Sequence, residues 1–66
     1  MNKDFKTAKA ILLAACRAKS TDVLKESAQL LMNQTGADAT MALLAVLDVL
    51  ETRMDENEFV AFCDAL

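Results

Sequence analysis

The sequence has no proline, histidine, tryptophan or tyrosine, and its 66 residues include a single glycine, Gly36. Proline and glycine are the residues that interrupt helices most strongly, so their scarcity favours long helical segments. Alanine and leucine dominate the composition, and both are good helix formers. The sequence therefore predicts an all-α fold. A chain of this length forms one domain, residues 1–66.

The lack of histidine removes the commonest metal ligand and the usual general base of nucleophilic catalysis. The two cysteines, Cys16 and Cys63, are too far apart in sequence to form a recognisable metal motif. The acids between residues 48 and 58 are expected to form a solvated face, because nothing in so short a chain suggests a cleft that would separate their pKa values. We therefore predict no catalytic residue, no metal site and no cofactor, and a chain that is not an enzyme.

No basic-then-apolar signal segment opens the sequence. We therefore expect a cytoplasmic, reducing setting in which both thiols are free. Residues 41–50 are apolar except for Asp48. This stretch is too short to cross a bilayer, which needs about 20 residues, so we predict a buried central helix and no membrane association.

Apolar residues make up 55% of the chain, above the usual share of about 45–50%. A domain of this size has too little interior to bury so many apolar side chains, since a chain of about 60 residues buries only about 60% of its unfolded surface. A symmetric dimer would bury the surplus at its interface. We therefore expect a homodimer, in which the interface serves as additional core.

Helical periodicity and capping residues predict a small bundle of four short helices, or three if the last two are continuous. Residues Ser20, Thr21 and Asp22 form a helix-start signature in which a hydroxyl can cap the second helix. Asp38 is a candidate N-cap of the third helix and Asp55 of the fourth, and Gly36 is expected to end the second. A break between two helices at Asp55 is favoured, because the apolar residues after it would not share a face with those before it if one helix were continuous. The predicted helices cover residues 4–18, 21–34, 38–54 and 56–65.

Apolar residues on the third and fourth helices are predicted to pack in the core or in a dimer interface. These are Leu43, Leu44, Leu47, Leu50, Phe59, Phe62 and Leu66. On the first helix, Ile11 falls on the flank of the predicted core face, whereas Leu13 falls on the polar side beside Lys6 and Arg17. An exposed leucine rimmed by charge is a candidate docking point, so we predict that Lys6, Leu13 and Arg17 bind a partner.

Charge is divided unevenly, because residues 1–25 carry a net charge of +4 and residues 26–66 a net charge of −7. The two halves attract each other, within one chain or across a dimer. The sequence favours a non-enzymatic, self-associating protein-interaction or regulatory accessory factor, of a kind often encoded by bacterial, phage or plasmid genomes. The alternative is a dimeric RNA- or DNA-binding regulator that uses the basic N-terminal half.

Overall fold

The computed structural model describes the backbone of residues 2–66 and the side chains of residues 6–66. This part of the chain contains four α-helices and no β-strand. The predicted all-α fold with four helices is confirmed, and the three-helix alternative is wrong. The helices are α1 (Asn2–Arg17), α2 (Thr21–Leu31), α3 (Ala37–Arg53) and α4 (Glu56–Ala65).

The turn between α1 and α2 follows the predicted capping chemistry. Ser20 has extended backbone angles, and its hydroxyl oxygen accepts a hydrogen bond from the Val23 N–H at 3.2 Å. Asp22 lies in the first turn of α2, where a negative charge is favoured by the helix dipole. The start of α2 is therefore determined by residues within one turn of it.

The link between α2 and α3 differs from the prediction at two residues. Helix α2 ends at Leu31 with Met32 as its C-cap, so Gly36 does not end that helix. Gly36 instead occupies the N-cap of α3 with φ +109° and ψ 164°, a backbone conformation available almost only to glycine. Asp38 is not the cap, because it already lies in the first turn of α3. The Gly36 carbonyl accepts the N–H and the hydroxyl of Thr40, both at 3.1 Å.

Asp55 separates α3 from α4, as predicted. Its Oδ1 accepts a hydrogen bond from the Glu58 N–H at 2.8 Å, and its carbonyl accepts the Phe59 N–H at 2.9 Å. The hydrogen bond from the Glu58 backbone lowers the pKa of the Asp55 carboxyl. The pKa of Glu58 is raised by its side-chain hydrogen bond to Asp55 and by the negative charge of that residue.

These opposite shifts predict how stability depends on pH. The pKa of the Asp55 carboxyl is lower in the folded chain than in the unfolded chain. Ionised Asp55 therefore stabilises the fold above the ordinary pKa, and this stabilisation is lost as the pH falls through the lowered value. The pKa of the Glu58 carboxyl is higher in the folded chain than in the unfolded chain. Protonated Glu58 therefore stabilises the fold below the ordinary pKa, and this stabilisation is lost as the pH rises through the raised value. Below pH ~4 the loss of the Asp55 cap should dominate.

The variant Asp55→Asn retains a capping oxygen that does not titrate. Its thermal midpoint, followed by circular dichroism between pH ~2 and ~7, should fall less steeply below pH ~4 than that of the original chain. Parallel curves for the two proteins would show that the Asp55 cap does not contribute to acid sensitivity.

Helix α3 is the centre of the bundle, as expected for residues 41–50. It makes extensive contacts with α1 and α2 and smaller ones with α4. The end of α1 lies beside the end of α3, because Arg53 of α3 donates to the carbonyls of Arg17 and Lys19. The buried core within the described residues consists of Cys16, Leu24, Ala28, Ala45, Val46, Val49 and Leu50.

Only two large side chains in this core, Leu24 and Leu50, are fully buried. The remaining volume is filled by smaller residues and by the inner sides of half-buried ones. None of the helices in the described part of the chain combines the length and the apolar character that a bilayer span requires.

Candidate interaction surface

The structure corrects the orientation predicted for α1. Leu13 is half-buried and packs against the core, whereas Ile11 is 64% exposed. Packing against α3 turns Leu12, Leu13 and Cys16 inward, so the inner face of α1 is rotated relative to the predicted one. The expected exposure of Leu13 is therefore wrong, whereas Lys6 and Arg17 are both exposed. Partner binding by these three residues stays a prediction.

The residues predicted to pack in the core or in a dimer interface fall into three groups. Leu50 is completely buried, and Leu44 is 55% exposed on the outer side of α3. The others are half-buried against the core: Leu43, Leu47, Phe59, Phe62 and Leu66. Of the two roles predicted for Leu44, packing in the core of a single chain is therefore wrong, and a role at an interface remains a prediction.

Arg53 has a structural role that the sequence pattern did not reveal. Its Nη1 donates to the Lys19 carbonyl at 2.6 Å and its Nη2 donates to the Arg17 carbonyl at 2.8 Å. Carbonyl groups at the end of a helix lack intrahelical partners, and a guanidinium offers two parallel donors to them. Arg53 therefore joins the end of α3 to the end of α1 through two hydrogen bonds. Only the spatial proximity of the two helix ends identifies this role.

The Cys16 thiol is not activated as a nucleophile. Cys16 is buried, Cys63 is half-buried and both are free thiols. Burial raises the pKa of the Cys16 thiol, and the nearby positive charge of Arg53 offsets only part of that increase. A raised pKa leaves little reactive thiolate at neutral pH. Among the residues whose side chains are described, no three His, Cys, Asp or Glu side chains are placed to hold a metal ion.

An open apolar groove of about 370 Å³ lies between the N-terminal half of α3 and the facing part of α1. Its lining is apolar except for Asp38, and Ile11 and Met41 are its largest residues together with Leu12. Leu44 follows Met41 by three residues and so lies on the neighbouring part of the same helix face. We call Ile11, Met41, Leu44 and this groove the α1/α3 apolar surface.

Four further large apolar side chains are exposed and do not line the groove. They lie on α2, just after it and on α4: Val23, Leu30, Met32 and Val60. Scattered exposed apolar residues are normal in folded proteins. The α1/α3 apolar surface differs from them because its exposed residues adjoin a groove formed by two helices.

The chain is more open than a typical folded monomer of its mass. Its accessible surface is 4811 Å², whereas the usual scaling for a 7.2 kDa monomer gives about 4,100 Å². Its radius of gyration is 11.9 Å, whereas about 10.8 Å is usual for this length. Both quantities indicate that the four helices leave more surface in contact with water than a closed bundle would.

Most charged side chains of residues 6–66 form no ion pair within 4.0 Å. Among residues 6–66, the one ion pair within 4.0 Å joins Lys9 Nζ to Asp48 Oδ2 at 3.7 Å. Both side chains are about half exposed, so the pair contributes little to stability. Lys6 and Arg17 on α1, and Asp38 and Glu51 on α3, are exposed to solvent.

These features define a small all-α protein with an exposed apolar groove and no recognisable reaction centre among its described residues. Comparison with known proteins found no matching family model, no matching curated protein and no matching solved structure. Its function must therefore be inferred from the surface itself.

Proposed function

We propose that this chain is a non-enzymatic, cytoplasmic accessory protein that acts by binding other protein surfaces and that associates with itself as a homodimer. The observation that carries the proposal is the α1/α3 apolar surface, where Ile11 and Leu44 are each more than half exposed beside an apolar groove. Contiguous exposed apolar surface on a protein commonly marks an interaction site. The accessible surface, larger than that usual for a monomer of this mass, supports the same interpretation.

Self-association is tested by measuring the mass of the protein in solution. Sedimentation equilibrium at micromolar to submillimolar concentrations should give twice the chain mass of 7.2 kDa, with dissociation on dilution. A species of 7.2 kDa throughout that range would refute self-association.

The second candidate is a nucleic-acid-binding regulator that uses the basic N-terminal half. One observation favours it, because Lys6 and Arg17 are both exposed and lie on the same face of α1. Another weighs against it, because Lys9 of that half is paired with Asp48.

Salt dependence distinguishes the two candidates. Binding of a labelled RNA or DNA duplex through phosphate contacts should weaken steeply between about 50 and 200 mM salt. Binding through an apolar surface should persist over the same range. Tight, salt-sensitive binding of a duplex would favour the nucleic-acid candidate.

A further inference from the structure

We infer that α4 opens as a unit, by rotation of the backbone at Met54 and Asp55, while α1, α2 and α3 remain folded. The helix is thus a lid on the core, and its opening exposes the apolar side chains of Phe59, Phe62 and Leu66. This inference concerns a motion within one chain and does not depend on the proposed function.

The buried core lies entirely in the other three helices. Every buried side chain among residues 6–66 belongs to α1, α2 or α3, and none belongs to α4. Phe59, Phe62 and Leu66 are only half-buried where they pack against that core. When α4 is released, the other helices therefore keep the contacts among their own buried residues.

Polar contacts hold α1 to α3, but they do not hold α4 to its neighbours. Arg53 donates two hydrogen bonds to carbonyls at the end of α1, and Lys9 is paired with Asp48. Among residues 8–66, no hydrogen bond and no ion pair within 4.0 Å joins α4 to another helix. Lys25 on α2 attracts the exposed Glu58 at longer range, where salt screens the attraction. The attachment of α4 therefore depends on its half-buried apolar side chains.

The backbone between α3 and α4 is suited to act as a hinge. Met54 has φ −110° and ψ 150°, and Asp55 has φ −71° and ψ 165°, which are extended conformations open to most residues. A hinge needs only a few residues at the end of an element that can change such angles. The side chain and carbonyl of Asp55 accept hydrogen bonds from Glu58 and Phe59, so the cap can move together with α4.

Once released, α4 is too short to remain a stable helix. It has ten residues, and isolated helices of fewer than about 12–15 residues are marginal in water. Opening is therefore a local unfolding, in which the backbone amides of α4 exchange their hydrogens with solvent while those of the core stay protected.

Amide hydrogen exchange in the full chain tests this motion with two matched variants. Ser20→Ala removes the cap of α2 and Asp55→Ala removes the cap of α4, and each exposed residue accepts the N–H three residues later. A loss within α2 does not change the free energy of opening α4, because α2 stays folded in the open state. A loss at the α4 cap changes that free energy directly. Exchange is followed by NMR at one pH and one protein concentration, under conditions where closing is faster than exchange.

The α4 amides of the original chain should exchange at least about 10-fold faster than the most protected α3 amides, after correction for intrinsic rates. Ser20→Ala should speed up exchange of the most protected α2 amides by roughly 2- to 30-fold, the factor expected for a lost cap, and leave α4 unchanged. Asp55→Ala should speed up exchange in α4 by a factor in the same range.

Two results would overturn the inference. Equal acceleration of α2 and α4 amides by Ser20→Ala would show that α4 opens only when the whole chain unfolds. A steady decline of protection along α4 toward Leu66 would show fraying from the end of the chain in place of opening as a unit.

Discussion

Replacing Leu50 by Asp is expected to unfold the chain at 25 °C. Leu50 is completely buried in a core that offers no charged or polar partner among the described residues. A buried, unpaired carboxylate is among the most damaging single changes, and losses above about 4 kcal/mol are typical of such mechanisms. A chain of this length is held by only about 3–10 kcal/mol in total.

Leu47→Asp on the same helix provides the comparison for Leu50→Asp. Leu47 is half-buried, so a carboxylate there retains contact with water and should cost less than one at Leu50. Circular dichroism and urea denaturation measure both variants. A native spectrum and an unchanged midpoint for Leu50→Asp would show that the centre of α3 is not in the core.

Leu24→Ala is expected to produce the second largest loss of stability. Leu24 and Leu50 are the two large side chains that are fully buried, so removing three carbon atoms at residue 24 leaves a cavity that few neighbours can fill. The expected cost is about 2–5 kcal/mol, a large part of the total stability of so small a domain.

Leu30→Ala on the same helix is the matched control for Leu24→Ala. It removes the same atoms from a side chain that is 60% exposed, so the free energy of unfolding should change by less than about 0.5 kcal/mol. Urea denaturation at one protein concentration compares the two variants directly. Equal losses at residues 24 and 30 would contradict the assignment of Leu24 to the core.

The parts of the fold that sequence predicts well are those determined within one helical turn. Ser20 and Asp55 each cap a helix through the N–H three residues later, a contact that depends on no other element. Glycine at residue 36 was correctly placed in the connection between α2 and α3. Its role was predicted wrongly, because Gly36 begins α3 and does not end α2. A glycine with positive φ can stand at either end of a helix, so the residue type alone does not distinguish the two roles.

The parts that sequence misses depend on which neighbours a helix acquires. Leu13 and Ile11 lie on opposite flanks of the apolar stripe of α1, and periodicity alone does not say which flank α3 will cover. Leu44 lies within a run of apolar residues, where no polar residue marks the outward direction. Arg53 acts on carbonyls more than thirty residues away, so no local motif identifies it.

The bond between Arg53 and the end of α1 also bears on how the protein is made. Residues 17 and 19 are synthesised well before residue 53, so their carbonyls cannot accept hydrogen bonds from its guanidinium until the end of α3 has been added. Until then, α1 lacks the two hydrogen bonds that join its end to α3 in the folded protein. We therefore expect the native arrangement of α1 to form only when synthesis of the polypeptide is nearly complete.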